Sequence, residues 1–184
     1  MITVLDRDGV LVGTCAANIA AYVQASREIG LPFDEIALEE SIHKGDSIDE
    51  FYQSVWGAIS VLQLNRLRET KAYFFVEYLP LIQINSLWQD KILDSPIDFY
   101  LATKASMESS RFIINELIPD FLDSHIYSTQ DSEFASKVDV LEKISKSNKI
   151  QPHELAFFDD SSQTISICAD AGFNAKLTPH FCGD

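Results

Sequence analysis

Five apolar runs of strand length recur along the chain, at residues 2–5, 97–102, 125–128, 155–158 and 173–177, and this recurrence is what most limits its fold. Helical periodicity follows several of them, at residues 107–117, 138–147 and 164–171. Near-continuous apolar strands alternating with helices predict βαβ units and a parallel sheet covered on both faces. In such sheets ligands collect outside the carboxyl ends of the strands. The polar residues of this chain fall at those ends: Asp6 and Asp8 after the first run, Thr103 after the second, and Asp159 with Asp160 after the fourth.

Between residues 15 and 78 the alternation stops. Helical patterns at 16–29, 34–41, 47–59 and 62–77 are punctuated by Gly30-Leu31-Pro32 and by the loop His43-Lys44-Gly45-Asp46. The stretch is too long for an ordinary crossover. It reads as a helical insertion ahead of a crossover helix at 81–93, giving an α/β core of residues 1–14 and 79–184 and an inserted domain of residues 15–78.

Charge narrows the choice of partner. Twenty-eight acidic against 14 basic residues give a net charge of −14, which argues against nucleic acid or an anionic membrane surface. A small phosphorylated compound stays open, because a bound divalent cation reverses the local field. Cys15, Cys168 and Cys182 are odd in number and lack metal-ligand spacing, so they read as free thiols of a reducing compartment. The first residues carry no signal-peptide pattern, and no run reaches the ~18 apolar residues of a membrane span. The expectation is a cytoplasmic protein, as a monomer or homodimer.

Asp6 and Asp8, spaced i and i+2 beyond a buried strand, project to one side, and Gly9 lets the backbone turn away at once. Thr103 ends a strand ahead of a helix, where a hydroxyl and free backbone N–H groups suit a phosphate. Lys137 opens a helix, and the carboxylates of Asp159 and Asp160 offer hard oxygens for Mg²⁺.

Taken in order, these segments resemble the motifs of the haloacid dehalogenase superfamily, in particular its capped phosphatase, β-phosphoglucomutase-like and phosphoglycolate phosphatase-like members. Asp6-Arg7-Asp8-Gly9-Val10 matches the first motif and Leu101-Ala102-Thr103 the second. Lys137 matches the third and Phe157-Phe158-Asp159-Asp160-Ser161 the fourth, with Ala169-Asp170-Ala171-Gly172-Phe173 trailing it. The resemblance implies a Rossmann-like sheet with a helical cap and a Mg²⁺-dependent phosphatase. Asp6 would be the nucleophile and Asp8 the general acid and base. Thr103 and Lys137, with Lys104 beside them, would bind phosphate. Asp6, Asp8 (through its carbonyl), Asp159 and Asp160 would serve the metal.

His43-Lys44-Gly45 resembles a substrate loop in caps of β-phosphoglucomutase-like members, which makes Lys44 a candidate substrate contact. The basic residue expected for mutase activity falls near Ile48, which tilts the reading toward hydrolysis. A mutase, a capless histidinol-phosphate or heptose-bisphosphate phosphatase, and a non-catalytic relative are the alternatives. Arg7 is expected in a structural ion pair. The four histidines are expected to be polar or exposed, and Trp56 and Trp88 to pack in the interior.

Overall fold

The computed structural model describes residues 2–44, 48–130 and 133–183, with Ile48 and Asp49 by backbone alone. The chain divides into two compact units, one of Met1–Val12 with Ile84–Phe181 and one of Gly13–Gln83 with Cys182–Asp184.

The first unit is built on five parallel strands. These are β1 (Thr3–Leu5), β4 (Phe99–Thr103), β5 (Ile126–Ser128), β6 (Ala156–Asp159) and β7 (Asn174–Leu177), in the order β5-β4-β1-β6-β7. Leu5 lies in register with Leu101 on one side and Phe158 on the other. The chain moves outward from β1 through β4 to β5, then crosses to β6 and β7, so the direction reverses around β1. That is where a doubly wound sheet opens a crevice at its carboxyl edge.

β1 and β4 are buried along their whole length, as their mainly apolar sequences require, with Thr3 and Thr103 the polar residues at their ends. Val4, Tyr100, Ala102, Leu155 and Phe157 pack with Val140, Leu141 and Ile144 of α7 (Lys137–Asn148) and with Cys168 of α8 (Ser162–Asp170). Three helices start on serine caps. Ser106 accepts from the Ser109 N–H at the start of α6 (Met107–Leu117), Ser136 from Asp139 at α7, and Ser161 from Thr164 at α8. Each cap contributes about 1 kcal/mol and fixes where its helix begins. Two of them therefore set the positions of Lys137 and of the loop after β6.

The sequence places a helix over 81–93, yet α5 spans only Ser86–Asp94. Two extended residues, β3 (Gln83–Ile84), precede it and pair with β2 (Val12–Gly13) as a separate ribbon where the chain passes between the units. Asn85 ends the extension. Its N–H donates to the Leu11 carbonyl at 2.8 Å and its Nδ2 to the Val10 carbonyl at 3.1 Å, while its Oδ1 caps α5. The second strand also starts later than its apolar run, because Pro96–Asp98 forms a 3-10 turn closed by Ser95 Oγ on Asp98.

The second unit contains α1 (Cys15–Ile29), α2 (Glu35–Lys44), α3 (Ile48–Trp56) and α4 (Val61–Glu77). Its core joins Ala25, Leu38, Val55 and Leu67 to an aromatic group of Tyr22, Phe51, Tyr52 and Trp56. Polar tips are satisfied inside it: Trp56 Nε1 donates to Ser26 Oγ at 3.0 Å, and the Tyr22 and Tyr52 hydroxyls lie 3.2 Å apart. Burial pushes the Tyr22 phenol well above its ordinary range.

One expectation is overturned here. Cys15 and Cys182 are joined in a disulfide, and Cys168 alone is a free, buried thiol. Spacing along the chain gives no signal for a bridge between residues so far apart in sequence. The inference from free thiols to a reducing compartment loses its basis. Among the described residues no helix is long and apolar enough to cross a membrane.

Candidate active site

The end of β1 continues into the site. The Asp6 N–H still donates to the Phe158 carbonyl at 2.9 Å, so the strand ladder fixes the aspartate's backbone. Its carboxylate meets Lys137, whose Nζ lies 2.7 Å from Asp6 Oδ2 and 2.7 Å from Asp159 Oδ2. Lys137 is the first residue of α7, so one ammonium bridges the ends of two neighbouring strands. Asp159 spends its other oxygen on the Ser161 N–H at 2.8 Å. Burial pushes the Asp6 carboxyl from 3.8 up to about 6 against the pull of Lys137. Burial works against the Lys137 charge, yet the facing Asp6 and Asp159 carboxylates hold its ammonium above the ordinary range.

The ion pair expected of Arg7 forms with Asp8. Arg7 Nη2 lies 2.6 Å from Asp8 Oδ2 and Nε 3.1 Å from Oδ1, a two-point fork on one carboxylate. Its Nη1 donates to Ser109 Oγ at 3.2 Å and Ser110 Oγ at 3.1 Å, on α6. The guanidinium is therefore buried and held by the helix that follows β4.

A residue that sequence reasoning passed over completes the group. His180 lies on the segment after β7, and its Nδ1 hydrogen-bonds Asp160 Oδ2. That hydrogen bond holds its imidazole pKa above the ordinary value, with burial opposing it and Asp160, Asp8 and Asp6 adding to it. No spacing marks a lone histidine at that position. The other histidines follow expectation: His43 is exposed and touches the Glu39 carbonyl, and His125 stacks on Tyr100 with its Nδ1 on the Phe99 carbonyl.

Thr103 is buried at the carboxyl end of β4, where its Oγ1 accepts from the Ala105 N–H at 3.1 Å. Lys104, next to it, is exposed. Lys44 ends α2 in the other unit, exposed and 3.5 Å from Glu40. Gly45, the remainder of that motif, lies outside the described residues, as does the Ile48 side chain.

Carboxylate oxygens of Asp6, Asp159 and Asp160 lie within 4.8 Å of one another. An all-oxygen donor set of this kind fits a hard divalent cation such as Mg²⁺. Asp159 also serves Lys137 and the Ser161 N–H, and Asp6 likewise serves Lys137 and, through Oδ1, the Arg7 N–H at 2.8 Å.

This is an α/β protein of the Rossmann-like class, with its charged side chains gathered at the carboxyl edge of a parallel sheet. More narrowly, the fold is that of haloacid dehalogenase-like hydrolases. A haloacid dehalogenase-like hydrolase from Streptococcus pneumoniae superposes with a TM-score of 0.73 at 15% identity, over 95% of this chain and 82% of that one. A protein named as a predicted phosphoglycolate phosphatase from Haemophilus somnus 129PT gives 0.73 at 17%, over 98% and 86%. A family hydrolase from Deinococcus radiodurans R1, with bound phosphate and sodium, gives 0.61 at 16%, over 100% and 84%. No family model matches the sequence, and no curated protein matches it.

Proposed function

We propose that the protein is a Mg²⁺-dependent phosphatase that hydrolyses a small phosphomonoester through an aspartyl-phosphate on Asp6. The observation that carries this reading is the ammonium of Lys137 bridging Asp6 and Asp159, with Asp160 beside them. A buried lysine against a carboxylate nucleophile both keeps that carboxylate charged and offsets charge on a transferring phosphoryl group.

Asp6 attacks phosphorus in line with the leaving oxygen, forming the Asp6–O–P bond as the ester P–O bond breaks. Asp8 gives its proton to the departing alkoxide. Asp8, now ionised, takes a proton from the water that attacks the aspartyl-phosphate, releasing inorganic phosphate and restoring Asp6. Thr103 and Lys137 hold phosphoryl oxygens, and Lys104 adds positive charge at the mouth of the site. Asp6, the Asp8 carbonyl and Asp160 would hold Mg²⁺, which when bound would supply charge stabilisation. The helical unit acts as a cap, and Lys44 within it is a candidate specificity contact.

Replacing Asp6 by Asn should abolish Mg²⁺-dependent phosphate release from p-nitrophenyl phosphate, and EDTA should abolish it in the native enzyme. Release that survives either treatment removes the mechanism. A second reading has an observation of its own: Asp6, Asp8 and Asp160 each already face a basic side chain. Such self-neutralisation suits a binding protein with this fold. Silence across a broad phosphoester panel, with Mg²⁺ still bound, would favour it.

A further inference from the structure

Strand β7 ends at Leu177, and the chain then turns back over the catalytic loop instead of leaving the sheet. Backbone ties at two residues, Thr178 and Phe181, fix that path. The Thr178 N–H donates to the Asp159 carbonyl at 3.0 Å, the Phe181 N–H donates to the Gly9 carbonyl at 2.8 Å, and Gly9 and Phe181 form an antiparallel bridge. His180 lies between Thr178 and Phe181, so its backbone is held on both sides. Its Nδ1 meets Asp160 Oδ2, with 23% and 16% of the two side chains exposed.

Gly9 shows how closely this assembly is fitted. Its φ is +78°, and a Cβ built there would collide with both Asp160 Oδ2 and the His180 ring. A glycine at this position is needed for its backbone angle, and equally for the space that the histidine and the carboxylate occupy together.

We propose that His180 is a positioning residue for Asp160: the segment after β7 carries it across Gly9 to donate from Nδ1 to Oδ2 and so orient the carboxylate toward Mg²⁺. The inference rests on the phosphatase reading above, since it takes Asp160 as a metal ligand. A carboxylate has two oxygens, and fixing one by a hydrogen bond sets the direction of the other. Groups that orient metal ligands in this way govern affinity strongly, at about 10- to 100-fold per partner removed. The site would then be built from the carboxyl ends of three strands and completed by a fourth element near the chain's end.

The test is Mg²⁺ binding to the full chain, measured by calorimetry with no substrate present. His180→Ala should weaken Mg²⁺ about 10-fold or more, while the metal-free far-UV circular dichroism stays that of wild type, because the backbone ties at Thr178 and Phe181 do not use the side chain. His180→Asn, whose side-chain N–H reaches roughly where Nδ1 does, should recover most of that affinity. Asp160→Ala should abolish binding and so calibrates the assay. Equal Mg²⁺ affinity in wild type and His180→Ala, or no recovery in His180→Asn, overturns the proposal and leaves the phosphatase reading intact. Failure of the wild-type protein to bind Mg²⁺ overturns both.

Discussion

Lys137→Met keeps the length and apolar stem of the side chain and removes only its charge. In the folded protein that charge lies 2.7 Å from Asp6 and 2.7 Å from Asp159, with 4%, 15% and 1% of the three side chains exposed. The variant would leave two carboxylates in each other's field with their shared cation gone. Breaking a buried pair from one side costs about 3–5 kcal/mol, whereas an exposed pair is worth under ~1 kcal/mol. A loss of that size is a large share of a domain's total stability, about 5–15 kcal/mol.

The dependence on pH gives the prediction a sign. Burial raises the Asp6 carboxyl from 3.8 to about 6, and Lys137 is one of the influences holding it down. The folded state therefore takes up this proton more readily than the unfolded chain does. The stabilisation from protonation is fully present below 3.8 and is lost as pH rises through about 6. Without Lys137 the upper edge of that window moves higher. The variant's deficit against wild type should thus be larger at pH 8 than at pH 5. Urea unfolding in EDTA, followed through Trp88 in a Trp56→Phe background, reads the unit that holds the site. A deficit under ~1 kcal/mol at pH 8, or one that grows on acidification, would refute the reasoning.

Arg7→Lys cannot reproduce a fork on Asp8 together with contacts to Ser109 and Ser110, and should cost about 1–3 kcal/mol by thermal or urea unfolding. An unchanged midpoint would mean those contacts contribute nothing. The cysteines make a cleaner count. Denatured without reductant, the chain should expose one reactive thiol, Cys168, and three after reduction. In the native protein Cys168 is 1% exposed and burial pushes its thiol to about 11, so iodoacetamide at pH 8 should leave it unmodified by mass spectrometry until urea is added.

The parts of the fold legible in the sequence are those where a single local rule decides. Strands buried on both faces must be mainly apolar, so β1, β4 and β6 stand out. The polar residue that ends each run then marks the carboxyl edge of the sheet. Helix α6 occupies the predicted 107–117 span because Ser106 caps its start. The same logic brought Asp6, Lys137 and Asp159 together, each being the last residue of a strand or its neighbour, or the first of a helix. What stayed hidden depends on distant pairing. Two residues of extended chain at Gln83–Ile84 carry no period and form only because the ribbon partner and Asn85 hold them. His180 is one histidine in a short irregular tail, placed by backbone bonds to Gly9 and Asp159 that no spacing records. The bridge from Cys15 to Cys182 joins residues 167 apart, and only the folded chain brings them within reach.

That bridge also changes what kind of object the polypeptide is. Closed at Cys15 and Cys182, the backbone between these two residues becomes a covalent ring. A protease that cuts one loop between them opens the ring without releasing a fragment. The nicked protein would run as one species on a denaturing gel and separate into two only when reductant is added. Damage to a loop is then an event the molecule survives in one piece, and the resistance of either unit to coming apart is partly a matter of chain topology.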